Sequence, residues 1–512
     1  MPLPGPLSPW GKPPVPTTMQ TRLIRLSGDQ YQKLRAHLFP GDGREAVALA
    51  LCGRLESQHV QALCVHKLLL IPHDQCHERT PIRVSWPTVV GRKLYEEAMA
   101  KHLAVLKIHS HPTEFADFSR TDDHSDRELF SSLHGWTDDG LPHASAVLME
   151  AGDMIARFVN LDLEFLPVDR IAVAGDDLLF FDHAPLPLLA GEDRGKGDHG
   201  DAAHPLPGGE GRGESQTNRR RFATLAAAQM RTAQAFGEKT VRLLASLSIG
   251  VVGCSGTGSW VIEQLNRLGV GRLVEVDPDL MELKNLNRII NSRRADADAA
   301  RPKVETIAEA VRATGLVQDV VPMQKSCFAP DAIKELASCD ILFGCMDTHD
   351  GRDLLNRLAT FYCIPLFDLG VHLEADGHGS VSAVCGSVHY LLPGGSSLLS
   401  RGVYTPSDIR AAALRRTNPD QFQAEQEEGY IKRARVSSPA VVSVNGLCAT
   451  LAMNNLLARL HPFRSDPNAE IRWQTFDLVN TAFTTNDDGP PCKALLKYVG
   501  RGDMDPPLDS VF

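Results

Sequence analysis

The stretch IHSHPTEFADFSRTDD, Ile108–Asp123, sets two histidines one residue apart, a serine eight residues after the second, and an aspartate three beyond that. The apolar run LAVLKIHSH that leads into it has strand length. Side chains at i and i+2 of a strand lie on one face, so His109 and His111 can reach a single ion. A loop that folds back can bring the Asp122 carboxylate to the same place. Two neutral imidazole nitrogens and one carboxylate suit Zn²⁺, and three protein ligands leave a fourth position for water, whose pKa then falls toward neutrality. Hydrolysis is the natural chemistry of such a site. An H-x-H pair by itself describes surface polar histidines at least as well, so the reading depends on the residues around it.

A second cluster lies in IGVVGCSGTGSWVIEQLNRLGVGRLVEVDPD, which places Gly253, Gly256 and Gly258 between a strand and a helix. Glycine lets a backbone approach a phosphate, and a helix N-terminus offers unpaired N–H groups and a favourable dipole. Asp277 ends the next strand, where an acid can hold a ribose hydroxyl. The order is GxxGxG, not the GxGxxG of dinucleotide binders, and tight strand–helix packing is the competing explanation of the glycines alone. Further along, DPDLMELKNLNR supplies Asn285 and Arg288, ARPKVE supplies Lys303, and ILFGCMDTHDGRDLLNRLA supplies Asp347 at a strand end before a helix.

The histidine stretch resembles the JAB/MPN (JAMM) metalloprotease motif at every ligand position and at the serine. GREAVALALCGR adds Glu45 in the context of that family's upstream glutamate, and the resemblance covers most of residues 20–185. It implies that His109, His111 and Asp122 bind zinc, that Glu45 is the general base, and that Ser119 hydrogen-bonds the oxyanion. Family members cut peptide or isopeptide bonds after the C-terminal Gly-Gly of ubiquitin-like proteins. The motif spacing selects Asp122 over Asp123, His124 and Asp126, which read as solvated loop residues. His73, His77 and His143 receive no metal role.

The glycine stretch and its downstream residues resemble the ThiF family, whose relatives include MoeB and the ubiquitin-activating enzymes. The D-x-D…NLxR pattern, the PK pair, the later strand-end aspartate and the GVGR at Gly269–Arg272 are all present, over residues 222–460. The resemblance implies adenylation of the C-terminal carboxylate of a ubiquitin-like protein by ATP. Arg288 and Lys303 would then face the phosphates, Asn285 the phosphates or ribose, and Asp347 the Mg²⁺. Relatives pair as homodimers and often add an arginine from the partner subunit; Arg221 and Arg231 are candidates for it, with a charged helix face or linker tail the plainer reading. A structural zinc bound by two CxxC pairs is expected to be absent, because LLPGGSSLLSRG carries serines at the first pair and only Cys492 stands near the second. For a thioester cysteine, Cys385 is the candidate. Cys345 adjoins the nucleotide strand, and Cys448 reads as core.

These residues need a scaffold. In the first half, GRKLYEEAMAKH reads as a helix and ASAVLME as a strand, an α+β pattern. In the second half, LSIGVVG, SWVIEQLNRLG and RLVEVD make a βαβ unit. A Rossmann-like α/β domain with a mainly parallel sheet follows from that unit. The Gly- and charge-rich stretch 189–221 reads as a linker. The expected organisation is a Pro-rich disordered tail (1–18), a metalloprotease-like domain (19–187), a flexible linker (188–221) and an adenylation domain (222–512). The polar stretch RRTNPDQFQAEQEEGYIKRAR reads as a solvated helix or as a mobile crossover loop.

A chain of 512 residues exceeds one ordinary core, and 43% hydrophobic with 23% charged residues is globular composition. A net charge of −10 argues against a nucleic-acid or anionic-membrane partner. The eleven cysteines form no CxxC pair and mostly lie in apolar runs, which fits free thiols in a reducing cytoplasm. The expectation is a bifunctional enzyme that takes Zn²⁺, ATP and Mg²⁺. It would trim or remove a ubiquitin-like protein ending in glycine and adenylate that glycine, with a conjugating-enzyme homologue as a further partner. Sulfur-carrier activation for biosynthesis is the alternative within the same chemistry, and a non-catalytic scaffold is the alternative outside it. An NAD-dependent oxidoreductase gives no joint role to Arg288, Lys303 and Asp347.

Overall fold

The computed structural model describes residues 20–183, 216–376, 378–428, 440–504 and 508. The expected Pro-rich tail lies outside these residues, as does most of the expected linker.

The first domain contains β1 (Thr21–Ser27), α1 (Gly28–Leu38), β2 (Val47–Glu56), β3 (Val60–Leu70), β4 (Glu78–Thr80), β5 (Arg83–Ser85), α2 (Arg92–Lys101), β6 (Ala104–His111), α3 (Arg120–Thr137), β7 (His143–Met149), β8 (Met154–Val159), β9 (Phe165–Pro167), β10 (Arg170–Ala174) and β11 (Leu178–Asp182). Nine of these strands, among the described residues, form a mixed sheet in the order β11-β10-β1-β3-β2-β6-β7-β8-β9. All eight residues of β6 are buried, because helices or loops cover both faces at its position near the sheet centre. That is why its sequence is a near-continuous apolar run and not a strict alternation.

The second domain follows with α4 (Gln216–Ser246), β12 (Ser248–Val252), α5 (Gly256–Leu268), β13 (Arg272–Val276), α6 (Arg294–Asp298), α7 (Lys303–Thr314), β14 (Asp319–Met323), α8 (Pro330–Ala337), β15 (Ile341–Gly344), α9 (His349–Phe361), β16 (Leu366–Ala375), β17 (Val381–Leu391), α10 (Pro406–Thr417), α11 (Pro419–Glu427), α12 (Val442–Leu460), β18 (Trp473–Asp477) and β19 (Ala482–Thr485). Helix α4 starts at Gln216, inside the stretch expected to be linker, and is broken at Gly237 (φ 79°). The sheet order is β14-β13-β12-β15-β16-β17-β18-β19. The first five strands pair in parallel and the last three add antiparallel. The chain leaves β12 in one direction toward β14 and later returns on its other side with β15. The crevice at the carboxyl ends of β12 and β15 is therefore the place where such sheets bind ligands. No helix among the described residues is long and apolar enough to cross a membrane.

The two domains are not beads on a tether. Leu23, Leu55, Val60, Ala62 and Cys64 of the first domain share one apolar cluster with Leu336, Leu358, Phe361, Tyr362 and Val499 of the second. Arg25 on β1 is 1% exposed and donates to the carbonyls of Ala337 (2.6 Å), Ser338 (3.3 Å) and Cys339 (2.9 Å) at the end of α8. A cation there also suits the negative end of the helix dipole. Near the C-terminus the backbone packs directly on β2. Gly53 N donates to Gly500 O at 3.1 Å, and a Cβ on Gly53 would lie 2.2 Å from the Arg501 backbone.

Candidate functional site

The first site is built where β6 ends and α3 begins. Along β6, His109 and His111 share a face, and both are buried. Ser119 starts α3 as its N-cap. Its hydroxyl accepts from Asp122 N (3.2 Å), while Ser119 N and Oγ both donate to Asp122 Oδ2 at 2.7 Å. This reciprocal cap turns the Asp122 carboxylate back toward the strand. Asp122 Oδ1 lies 3.0 Å from His109 Nε2, Asp122 Oδ2 lies 3.6 Å from His111 Nε2, and the two Nε2 atoms are 3.1 Å apart. A tetrahedral zinc ion spaces its ligand atoms about 3.3 Å apart, and these separations are of that size. His111 Nδ1 donates to Phe115 O at 2.7 Å, which leaves Nε2 as the ring nitrogen that faces the site. His109 is held below the usual histidine range by burial, against the pull of Asp122, so its imidazole is neutral.

Glu45 is buried just before β2, with its Oε1 4.0 Å from His111 Nε2. Its backbone is pinned by two bonds: Glu45 N donates to Thr80 O (2.8 Å) and Arg79 Nε donates to Glu45 O (2.9 Å). Burial pushes its carboxyl up to about 7, with Asp122 adding to the rise and His111 opposing it. Burial also opposes ionisation of Asp122, but the bonds from His109 and His111 outweigh it and hold that carboxyl far below its usual range. His111 is raised, because its bonds to Asp122 and Phe115 overcome the effect of burial. Two carboxylates converging on two imidazole nitrogens make a field that favours a cation. The residues present therefore fit zinc.

The residues set aside beside this motif divide. His124 is exposed in a pair with Glu128, as a solvated residue should be. His143 is a core residue whose Nδ1 accepts from Val105 N at 3.1 Å. Asp126 corrects the solvated-loop reading: it is fully buried, between Lys107 and Arg157. Asp123 pairs with the same arginine. Nothing in the local spacing signalled this, because the partners come from β6 and β8.

The second site lies at the β12–β15 crevice. Gly253 follows β12 with φ 91°, and a Cβ there would meet Cys345 O at 2.7 Å. A Cβ on Gly258 would lie 1.7 Å from Gly253 O, and one on Gly256 would lie 2.3 Å from Asn445 Nδ2. The glycines thus serve close packing around the N-terminus of α5. Asp277 accepts from Cys254 N (2.7 Å) and Asp279 N (2.9 Å), which fixes its carboxylate beside the glycine loop. Lys303 Nζ is 2.6 Å from Asp279 and 3.9 Å from Asp277. Asn285 is buried, and its oxygen accepts from Glu282 N (2.9 Å). The Arg288 side chain passes 3.4 Å from where a Gly256 Cβ would sit and donates to Lys284 O (2.8 Å). Asp347 is exposed, three residues beyond β15.

Sequence reasoning missed Asn445, which reaches this loop from α12. Its Oδ1 accepts from Thr257 Oγ1 (3.2 Å), and its buried Nδ2 has no partner among the described residues. A buried amide hydrogen without an acceptor, beside a helix N-terminus, fits an anionic group of a nucleotide. The sequence offered no distinguishing signal, since Asn445 is one of several polar residues in a mainly apolar helix.

The other candidates are placed less favourably. Cys385 lies on β17, where burial and the Asp477 carboxylate push its thiol up, against the demand of a nucleophilic thiolate. Cys345 and Cys448 are also raised by burial. Arg231 is exposed on α4 and bonds Gln234, and the Arg221 side chain lies outside the described residues. At LLPGGSSLLSRG the turn is held by hydrogen bonds. Ser397 N donates to Ser400 Oγ (2.8 Å), Ser400 N to Ser397 Oγ (3.0 Å), and Asp488 ties Ser396, Arg401 and Arg472. The stretch from Arg415 runs through the end of α10 and all of α11 up to Glu427, and its last seven residues lie outside the described residues.

A family model described as the ThiF family matches residues 226–491, and one described as prokaryotic homologs of the JAB domain matches residues 28–159. The chain is 32% identical over 154 residues to the SAMP-activating enzyme E1 of Haloferax volcanii, covering 30% of this chain and 52% of that protein. It is 24% identical over 227 residues to ubiquitin-like modifier-activating enzyme 5 of Dictyostelium discoideum, covering 43% and 54%. The chain thus spans about half the length of these two relatives. A solved structure of E. coli MccB with MccA-N7isoASN superposes with a TM-score of 0.41 and 16% identity, over 55% of this chain and 81% of that one.

Proposed function

Because the chain belongs to the ThiF family and carries a JAB-like domain ahead of its ThiF domain, we propose that it is a two-site enzyme acting on the C-terminal tail of a ubiquitin-like protein. One site hydrolyses the peptide or isopeptide bond after the tail glycine, and the other adenylates the carboxylate so exposed. The observation that carries the hydrolytic half is the convergence of His109, His111 and Asp122, whose ligand atoms all lie within 4.8 Å of one another. The adenylating half is carried by the family.

In the hydrolytic site, His109, His111 and Asp122 would hold Zn²⁺, which supplies a Lewis acid and an acidified water. Glu45 takes a proton from the attacking water and returns it to the leaving amine, a task suited to a carboxyl pushed up to about 7. Ser119 holds Asp122 in its ligating position through its N-cap bonds, and the role of oxyanion donor is the one the resemblance assigns to its hydroxyl. In the second site, the α5 N-terminus and Asn445 face the phosphates of ATP, Asp277 the ribose, Arg288, Lys303 and Asn285 the phosphates, and Asp347 the Mg²⁺. The attacking group is the glycine carboxylate and the leaving group is pyrophosphate. Those cations offset the charge that develops between them.

The test uses the full chain, zinc, ATP and Mg²⁺ with a ubiquitin-like precursor bearing residues beyond its glycine. A shortened product and a tail-dependent ATP–pyrophosphate exchange are expected. Exchange that runs equally fast with a carrier lacking its C-terminal glycine would overturn the adenylating half. A chain that purifies without about one equivalent of zinc, and takes none up, would overturn the hydrolytic half.

A further inference from the structure

One helical turn beyond Asp122, on the same face of α3, Asp126 is 0% exposed and bonded at both oxygens. Lys107 Nζ donates to Oδ1 at 2.6 Å, and Arg157 Nη2 donates to Oδ2 at 2.7 Å. Arg157 also donates to Asp123 Oδ1 at 2.6 Å, and its guanidinium lies 3.9 Å and 3.6 Å from the ring centres of Phe118 and Phe165. Lys107 reaches Ser125 Oγ at 3.2 Å. In the sheet, Lys107 lies beside Ser145 of β7, and Ser145 lies beside Arg157 of β8. Two buried cations therefore stand across three adjacent strands, and the first turns of α3 sit over them.

The spacing ties this network to the metal site. Lys107 precedes His109 by two residues, about 6.6 Å along a strand. Asp126 follows Asp122 by four residues, about 6 Å along a helix. Strand β6 and helix α3 are thus joined by two rungs of matched spacing, His109–Asp122 at 3.0 Å and Lys107–Asp126 at 2.6 Å. A buried ion pair is a poor source of net stability, since desolvation offsets its attraction. What it supplies well is a fixed position. The second rung ties the helix that carries Asp122 to the strand independently of the ligands themselves.

We propose that Lys107, Asp126 and Arg157 form a charge clamp that holds α3 at the distance from β6 at which Asp122 completes the metal site. They are positioning residues, and the inference rests on the zinc reading of His109, His111 and Asp122. The clamp explains why a domain would bury a lysine, an arginine and an aspartate where an apolar contact would pack.

The test replaces the pair by apolar residues of similar size, Lys107→Met with Asp126→Leu, in the full chain. The fold is monitored by near-ultraviolet circular dichroism and the thermal midpoint. Zinc affinity is measured by competition with a chromophoric chelator, and site geometry by the visible spectrum of the cobalt-loaded protein. A folded variant that binds zinc about 10- to 100-fold more weakly, with an altered cobalt spectrum, is the expected result. Affinity within twofold of the parent, with an unchanged cobalt spectrum, overturns the clamp and leaves the zinc site standing. A parent chain that binds no zinc removes both. Should the double variant not fold, Asp126→Asn keeps the shape, weakens one bond and replaces the other acceptor with an amide N–H that faces a cation. It is expected to lose about tenfold in zinc affinity, and parent-like affinity there overturns the clamp equally.

Discussion

Glu45 and Glu275 are both glutamates removed from water, and they illustrate opposite uses of burial. Glu45 is pushed up to about 7 and faces the metal-site residues. Glu45→Gln removes the proton acceptor and leaves the three ligands intact. Hydrolysis is expected to fall by about 10²- to 10⁴-fold with zinc content unchanged, measured by product formation alongside metal analysis. Glu275 on β13 is pushed up to about 8 by burial, against the pull of Arg312, and neither carboxyl oxygen has a partner among the described residues. Its folded-state value lies above its ordinary 4.5, so the unfolded chain ionises first. Its contribution to stability is whole below about pH 4.5 and is lost as the pH climbs to about 8. Glu275→Gln should flatten that limb, so urea midpoints of parent and variant should separate progressively in the variant's favour between those pH values. At this scale the motif residues were legible, because each sits in a short segment of recognisable pattern. Asn445 and Asp126 were not, because the residues that give them meaning are remote in the chain.

Helix α3 does two jobs with one cap. Ser119 satisfies the first turn and aims Asp122, so its loss should be felt twice. Ser119→Ala is expected to cost about 1 kcal/mol in denaturant unfolding and to weaken zinc binding. Ser119→Thr, which keeps a capping hydroxyl, should restore most of both. The S-x-x-D spacing that carries the resemblance is also a capping-box spacing; the sequence reading expected a loop there, and the structure shows that the same letters start a helix. The βαβ unit was equally readable, since β12, α5 and β13 follow one another with the expected apolar runs. The helical start of α4 was not, because its Arg-rich first turn has the composition of a linker.

At the scale of the whole molecule, the domain junction is the feature with the largest thermodynamic consequence. Arg25 serves three carbonyls at the end of α8 from a fully buried position. Arg25→Met should destabilise the chain by on the order of 3 kcal/mol, since buried carbonyls lose their donor. Because apolar clusters and backbone bonds both cross the junction, calorimetry should show one cooperative transition for the parent. Two resolved transitions would contradict a shared core. The sequence reading expected a flexible linker, most of which lies outside the described residues; what the structure adds is a packed junction between the domains on either side of it.

Composition, periodicity and short motifs determined which chemistries this chain holds: ligand-type residues at one strand end, and a glycine turn at another. These are local properties, fixed by strand and helix periods and by caps a few residues long. Tertiary structure decided how the groups are held. The burial that lifts Glu45, the amide of Asn445 against the glycine loop, the clamp under Asp122 and the common core of the two domains all depend on contacts between segments far apart in sequence. Long-range side-chain packing leaves no periodic trace in any one segment, so only the folded chain displays it.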